Sequence, residues 1–352
     1  MRRWGRMDGL RGVLAVYVML GHALPLTNLP GWITTPFRHG EAAVDLFFAL
    51  SGLVIAHSLE RFGGQFTPFM AARARRLLPV YFLVLAVSIG LTALGDPLAA
   101  LPWVGDEARH IMAAALPQPL FLHLAAHLTL TQGLIPQNAL PYAYVTLLGP
   151  AWSLSTEWQF YVLIGLIAPR RLGRFALVLL ALGGAYRTLP LGGEFSRAFL
   201  PDAAPFFALG LASAVMLRGG GTRVFWLCLA GACALALPGG IEKAVTPLAW
   251  GLAMLAQRQA WGAVLDGRAV QYLGAISYPL YLVNEPVQRA LAPLLGPLAQ
   301  GHAARFTTAF LPLSLGLSLA LAALLHHAIE RPFMRRQNDR LPRETIAAAV
   351  AE

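Results

Sequence analysis

The stretch RMDGLRGVLAVYVMLGHALP, residues 6–25, decides the fold of this chain. It is an apolar run of about the 20 residues needed to cross the hydrocarbon core of a bilayer. Arg11 stands at its start and His22 lies inside it. An ionisable side chain is rare in a membrane-spanning segment and is costly there, so His22 requires a structural or functional reason.

The composition of the whole chain supports this interpretation. Hydrophobic residues make up 57% of the 352 residues and charged residues only 12%. A soluble domain of this size would carry about twice that share of charged residues. The sequence therefore predicts an all-α, polytopic bundle of transmembrane helices and argues against a soluble globular protein.

Apolar runs separated by polar, glycine or proline breakers predict about ten spans. Their expected limits are 11–28, 42–58, 77–95, 148–168, 174–187, 201–217, 223–238, 243–257, 271–293 and 307–327. Arginines cluster in alternate loops, which the positive-inside rule assigns to the cytoplasm together with both chain termini. The net charge of +10 therefore reflects membrane topology, and nucleic acid is not an expected partner.

The remaining segments complete the predicted organisation. The first apolar run is followed by Pro25 and Pro30 without a small-residue cleavage site, so we expect an uncleaved first helix. Residues 96–147 are apolar but interrupted by prolines, and an interfacial or re-entrant segment is expected there. The predicted domains are a transmembrane domain over 1–340 and a short cytoplasmic tail over 341–352.

Two ionisable residues are expected at similar depth. His22 follows Arg11 by eleven residues, or about 16 Å of helix, which places it near mid-bilayer if the span starts at residue 11. Glu157 lies about half-way along the fourth span. A carboxylate beside an imidazole fixes its tautomer and raises its basicity. The alternative is a histidine that only bonds a backbone carbonyl between helices.

Other charged residues lie towards span ends. Asp45 and Asp202 are near the outer ends of their spans, where they form either a polar vestibule or helix caps. Arg73 and Arg76 in RARRLLPVY share a helix face at the inner end of span 3. They either anchor the helix in the membrane surface or bind phosphate. Glu285 and Arg289, spaced i, i+4, are expected to form a structural ion pair.

No metal site is expected. His123 and His127 have the i, i+4 spacing of a metal-binding pair, but a third ligand is missing from the pattern. Nucleophile-elbow, Walker and CxxC motifs do not occur in the sequence.

Six ordered motifs carry a family resemblance over nearly all of the spans. They are MDGLRGVLAVYVMLGH (7–22), VDLFFALSG (44–52), RARRLLPVY (73–81), WSLSTEWQFY (152–161), LGAISYPLYL (273–282) and IERPF (329–333). With these motifs in this order, the chain resembles the acyltransferase 3 family of integral membrane O-acyltransferases.

The resemblance implies an activity and a set of residues. Members move an acyl group, usually acetyl, from cytosolic acyl-CoA to a hydroxyl of a glycan, a lipid-linked sugar or another envelope acceptor. It implies that His22 is catalytic, with Glu157 supporting it, and that Arg11, Arg73 and Arg76 bind the acyl-CoA. Asp45, Ser153 and Asp202 would support the reaction or face the acceptor.

The resemblance also implies the setting of the reaction. Acyl-CoA is a donor substrate and no tightly bound cofactor is expected. The chain is expected in the inner (cytoplasmic) membrane among lipids. We expect it to lack the extracytoplasmic hydrolase-like domain that some members carry, so it acts alone or with an extracytoplasmic partner enzyme.

One departure and one alternative accompany these expectations. Asn284 occupies a position where the family often has histidine, which puts any role of that histidine in doubt here. Whether His22 acts as a general base or carries the acyl group is left open. In a different class of protein, a proton-coupled secondary transporter, the His22–Glu157 pair would relay protons. Such transporters often contain matched halves, and the sequence shows no internal repeat.

Overall fold

The computed structural model describes residues 5–105, 108–109, 115–190, 194–257 and 259–338, and these residues contain helices and no strand. Within these ranges, the helices of eight or more residues are α1 (Gly5–Ala23), α2 (Gly40–Arg61), α3 (Phe66–Ala93), α4 (Leu120–Thr129), α5 (Ala151–Ile167), α6 (Leu172–Thr188), α7 (Leu200–Leu217), α8 (Arg223–Ala236), α9 (Ile241–Ala256), α10 (Arg268–Leu295), α11 (Ala303–Leu325) and α12 (Arg331–Asn338). The all-α prediction is confirmed. The predicted tail, 341–352, lies outside the described residues.

A helix occupies each of the ten predicted spans. Among the described residues, five segments are long and apolar enough to cross a bilayer on their own: Gly5–Leu26, Gly31–Arg61, Phe66–Ala93, Leu200–Leu217 and Ala303–Met334. The chain is therefore a multi-pass membrane protein, and the count of ten crossings stays a prediction. The 28-residue α10 is not among the five, because it carries polar residues such as Asn284, Glu285 and Gln288 that are buried inside the bundle.

Two helices begin earlier than the apolar pattern indicates. Helix α1 starts at Gly5 instead of residue 11, and α3 starts at Phe66 instead of residue 77. The segment 66–76 contains three alanines and three arginines, which favour helix, and α3 continues through Pro79. As a result, the arginines of RARRLLPVY lie inside a continuous helix and not at its entrance.

Small residues allow the central helices to approach closely. Helix α1 makes its most extensive contacts with α10, and α2 does so with α7. A Cβ atom on Gly12 would lie 2.5 Å from the backbone nitrogen of Gly274, and one on Gly52 would lie 2.5 Å from the carbonyl oxygen of Phe207. Such glycine contacts are the usual means of tight packing between membrane helices.

We expect Gly274→Ala to destabilise the bundle by about 1–3 kcal/mol, the usual cost of overpacking. The new methyl group would overlap the backbone carbonyl of Asp8 on α1. Gly316→Ala on α11 is the matched control, because nothing lies within 4 Å of its added methyl group. Alanine favours helix over glycine, so this control should be neutral or slightly stabilising. Thermal unfolding in detergent compares the two, and equal midpoints would contradict the packing interpretation.

The long connection between α3 and α5 contains the short helix α4, which agrees with the expectation that residues 96–147 do not form a complete span. The imidazoles of His123 and His127 join this helix to the chain that follows it. His123 Nδ1 lies 2.9 Å from Thr146 Oγ1, and His127 Nε2 lies 3.0 Å from the carbonyl oxygen of Ala143.

Ion pairs at the helix ends agree with the predicted alternation of these ends between the inner and outer sides of the membrane. Arg6 contacts Asp266 at 2.9 Å, and Arg218 contacts Glu60; the sequence analysis places all four residues on the inner side. At the outer ends, Arg187 faces Asp202 at 3.6 Å and Arg197 contacts Asp45 at 3.2 Å. This supports the predicted order of crossings without indicating which side is the cytoplasm.

Candidate active site

Five helices, α1, α2, α3, α5 and α10, enclose a cavity inside the bundle. The space available to the centres of water molecules is about 100 Å³. That is room for several waters or for a narrow chain. The polar lining residues are Arg11, Ser51, Arg73, Arg76, Ser153, Glu157, Tyr161, Ser277, Tyr278 and Tyr281, and the apolar ones are Phe47, Phe48, Leu50, Val54, Leu77, Leu154 and Leu282. The cavity thus brings together five of the eight residues singled out from the sequence.

The three arginines at this cavity differ in their surroundings. Arg11 Nη1 contacts Asp8 Oδ1 at 3.1 Å, one turn earlier on α1. Arg73 donates a hydrogen bond to the hydroxyl of Ser58, and its guanidinium carbon lies 5.6 Å from the centre of the Tyr161 ring. Its Nε is buried and has no hydrogen-bond partner among the described residues. Arg76 has no hydrogen-bond or ion-pair partner in the described part of the chain. The cavity therefore presents guanidinium donors that other side chains leave free.

A single carboxylate faces these cations from α5. Glu157 Oε1 accepts a hydrogen bond of 2.5 Å from Ser51 Oγ and another from the hydroxyl of Tyr161, one turn along the same helix. The hydroxyls of Ser51 and Tyr161 lie 3.1 Å apart. Hydrogen bonds of this kind hold a carboxylate in one position. The sequence analysis missed Ser51 and Tyr161, although both lie within the quoted motifs.

Tyrosines of α10 form the opposite wall of the cavity. Ser153 Oγ donates to the hydroxyl of Tyr281 at 2.8 Å, and Tyr278 donates to the backbone carbonyl of Leu77 on α3 at 2.6 Å. These bonds join α10 to α5 and α3. Both tyrosines lie within the quoted motif LGAISYPLYL but were not predicted as site residues.

His22 lies elsewhere than expected. It is in the last turn of α1, because this helix ends at Ala23 and not at residue 28, as the apolar pattern indicated. Its Nδ1 lies 2.7 Å from Asn284 Oδ1 on α10, whereas Glu157 is bonded to Ser51 and Tyr161. The expected His22–Glu157 pair is therefore not the arrangement in the structure, and His22 is not among the residues that line the cavity.

His22 is nevertheless connected to the cavity wall. Asn284 Nδ2 donates to the backbone carbonyl of Tyr281 at 2.7 Å, and the Tyr281 side chain lines the cavity beside Ser153. Asn284 is thus the partner of His22 at the position where the resemblance anticipated a histidine.

The outer-side carboxylates are paired with arginines. Arg197, in the connection before α7, contacts both Asp45 and Glu41, and its guanidinium carbon lies 4.8 Å from the Trp152 ring centre. Burial opposes the charge of Arg197, but the Asp45 and Glu41 carboxylates outweigh it, so the pKa of Arg197 lies above its usual value. Asp45 therefore faces a permanent cation and does not serve as a helix cap.

The expected Glu285–Arg289 pair is present but long. Arg289 Nη2 lies 4.0 Å from Glu285 Oε1, and Arg289 also donates to Thr92 Oγ1 on α3. Both side chains are buried. They line a second, smaller cavity next to Gly149, with space for water centres of about 20 Å³.

Apolar helices long enough to span a bilayer, together with an internal cavity lined by arginines, indicate a multi-pass membrane protein. Residues 4–327 match the family model described as acyltransferase domain, Acyl_transf_3. The chain belongs to this family of acyltransferases.

Curated relatives support the assignment. The chain is 27% identical over 343 residues to "Acyltransferase MdmB" of Streptomyces mycarofaciens, covering 86% of this chain and 83% of the relative. It is 34% identical over 164 residues to "Protein 2 in picA locus" of Rhizobium radiobacter, covering 43% of this chain and 75% of the relative. No solved structure gives a significant match to this chain.

Proposed function

We propose that this membrane acyltransferase transfers an acyl group, acetyl by preference, from cytosolic acyl-CoA to a hydroxyl group of an envelope acceptor. The observation that carries the proposal is the convergence of Arg11, Arg73 and Arg76 on one internal cavity. Arg11 belongs to a different motif from Arg73 and Arg76, and only the fold brings the two motifs together.

The donor assignment follows from the chemistry of the arginines. Guanidinium groups bind phosphate through paired hydrogen bonds, and Coenzyme A carries several phosphate oxygens. The space for water centres in the cavity, about 100 Å³, suits a narrow chain. We therefore infer that the phosphates stay with the arginines at the inner end and that the narrow pantetheine arm enters the cavity. The sequence places this end of α1 and α3 on the cytoplasmic side, where acyl-CoA is found.

The chemical step needs a base for the acceptor hydroxyl. His22 removes the hydroxyl proton, the oxygen attacks the thioester carbonyl carbon, and the carbon–sulfur bond breaks. The proton then passes to the departing thiolate, which leaves as free CoA, and the product is an ester. Glu157 contributes by compensating the charge of the arginines and by ordering Ser51 and Tyr161.

The acceptor is proposed to approach from the outer side, past Asp45 and Asp202. Both carboxylates lie at the outer ends of their helices and are paired with arginines, a polar surface that suits a hydroxyl-rich molecule. A glycan or a lipid-linked sugar has this chemistry. We place the protein in the inner membrane, since only there do cytosolic donor and envelope acceptor meet across one bilayer.

The test is transfer of radiolabel from acyl-CoA in membranes that contain the full chain. Acetyl-, butyryl- and palmitoyl-CoA serve as donors, membranes without the protein serve as control, and mass spectrometry identifies the labelled product. We expect an acetyl ester on an envelope molecule and CoA release in equal amount. Binding of acetyl-CoA to the purified protein is measured in parallel. Absence of both binding and transfer would contradict the proposed donor.

A further inference from the structure

The side chain of Asn284 is held in one orientation. It is buried within α10, and its Nδ2 donates to the backbone carbonyls of Leu280 at 3.1 Å and Tyr281 at 2.7 Å. An asparagine amide nitrogen has two hydrogens, so both are engaged by these two carbonyls. Turning the amide over would set its oxygen against two carbonyl oxygens. The orientation of the amide therefore follows from the hydrogen bonds around it.

This orientation dictates which ring nitrogen of His22 carries a proton. The remaining Asn284 atom, Oδ1, only accepts hydrogen bonds, and it lies 2.7 Å from His22 Nδ1. Two acceptors at that distance would repel each other. Nδ1 must therefore donate, which leaves the lone pair of a neutral imidazole on Nε2. The described residues offer no hydrogen-bond partner to Nε2.

We propose that Asn284 is a positioning residue that holds His22 in the Nδ1–H tautomer and thereby makes Nε2 the nitrogen that takes the acceptor proton. The part concerning proton transfer rests on the proposed function, whereas the tautomer rests on the hydrogen bonds alone.

The surrounding packing keeps the two residues in register. Helices α1 and α10 are in glycine contact at Gly12 and Gly274, which fixes their separation. One turn beyond Asn284, the Gln288 amide donates to the carbonyl of Met19 on α1 at 3.2 Å. A neutral amide has a further property that histidine or a carboxylate would lack. It accepts the hydrogen bond from Nδ1–H and does not ionise, so its role does not depend on its own protonation.

The tautomer can be measured directly. The full chain, labelled with ¹⁵N in its histidine rings and reconstituted in lipid bilayers, is studied by solid-state NMR at a pH at which His22 is neutral. The chain contains nine histidines, so a spectrum of His22→Ala identifies the His22 signals by subtraction. We expect a protonated Nδ1 and an unprotonated Nε2. A protonated Nε2, or an equal mixture of tautomers, would overturn the proposal.

Variants of Asn284 connect the tautomer to the reaction. Asn284→Leu removes the acceptor with little change in volume. It should release the tautomer and lower transfer about 10- to 100-fold, the usual cost of losing such a supporting hydrogen bond. Asn284→Asp keeps an acceptor oxygen opposite Nδ1 and should keep the Nδ1–H tautomer. Its second oxygen would face the carbonyls of Leu280 and Tyr281, so its activity should lie between those of Asn284→Leu and the wild type. An unchanged tautomer in Asn284→Leu would refute the proposal.

Gln288→Leu serves as the packing control. It removes a bond between the same two helices but leaves the imidazole untouched, so the His22 spectrum should stay as in the wild type. If Gln288→Leu changed the tautomer as Asn284→Leu does, the change would result from altered helix packing and not from loss of the Asn284 hydrogen bond. The spectra test the tautomer even where no transfer is detected, so failure of the proposed function would be recognised separately.

Discussion

His22→Ala should lower acyl transfer by about 10²- to 10⁴-fold, the range that a positioned general base contributes. The substitution should lower kcat and leave the affinity for the donor unchanged, because His22 does not line the cavity that we assign to the donor. Binding of acetyl-CoA by the purified variant should therefore match that of the wild type. Label transfer at saturating donor gives the rate, and calorimetry or equilibrium dialysis gives the affinity.

His57→Ala is the matched control for His22→Ala. His57 is an exposed histidine on α2 that the site does not use, so transfer should be unchanged. If His22→Ala transferred label at the wild-type rate, His22 would have no part in the chemistry. Loss of donor binding together with turnover would instead show that His22 maintains the cavity, and the assignment as base would be wrong.

Arg76→Ala should weaken donor binding about 10- to 100-fold, since a hydrogen bond to a charged group contributes about 1.5–3 kcal/mol. Arg76 lines the cavity without a partner among the described residues, so the variant removes a phosphate contact without leaving a carboxylate unpaired. The effect should appear as a raised KM for acetyl-CoA with a nearly unchanged kcat. Initial rates over a range of donor concentrations separate the two constants.

Arg75→Ala is the control for Arg76→Ala, because the neighbouring arginine does not line the cavity. Its KM should stay within about twofold of the wild type, as expected for a surface substitution. Arg76→Lys should recover part of the affinity, since lysine keeps the charge but not the paired donors. Equal KM values for Arg75→Ala and Arg76→Ala would contradict the phosphate assignment.

The sequence predicted the parts of the fold that depend on local pattern. Apolar runs located every one of the ten long helices, including the short runs at 174–187 and 243–257. The helix starts at Gly5 and Phe66 were missed, because charged residues interrupt the apolar pattern near both starts, Arg6 and Asp8 in α1 and Arg73, Arg75 and Arg76 in α3. Packing and helix propensity stabilise these segments as helix. Local hydrophobicity cannot reveal such contacts.

Some residues of the candidate site could likewise be predicted from the sequence, and others could not. The charges that converge on the cavity, Arg11, Arg73, Arg76 and Glu157, stand out because charge is costly inside a membrane. The partners of these residues did not stand out. Tyr161 and Tyr281 are ordinary in an apolar helix, and Asn284 was noted only as a departure from the family pattern. The contacts of Tyr281 and Asn284 join helices that are distant in sequence. The pairing of His22 with Glu157 failed because equal depth does not imply contact.

Helix α10 contains Pro279, Pro286 and Pro293, each seven residues from the next. Each proline lacks the amide hydrogen that would bond the carbonyl four residues earlier. Seven residues are close to two helical turns, so the three missing bonds fall along a single side of the helix. The backbone of α10 should therefore resist bending least towards one direction. Asn284 lies between Pro279 and Pro286, so a bend at either proline would move the hydrogen-bond partner of His22.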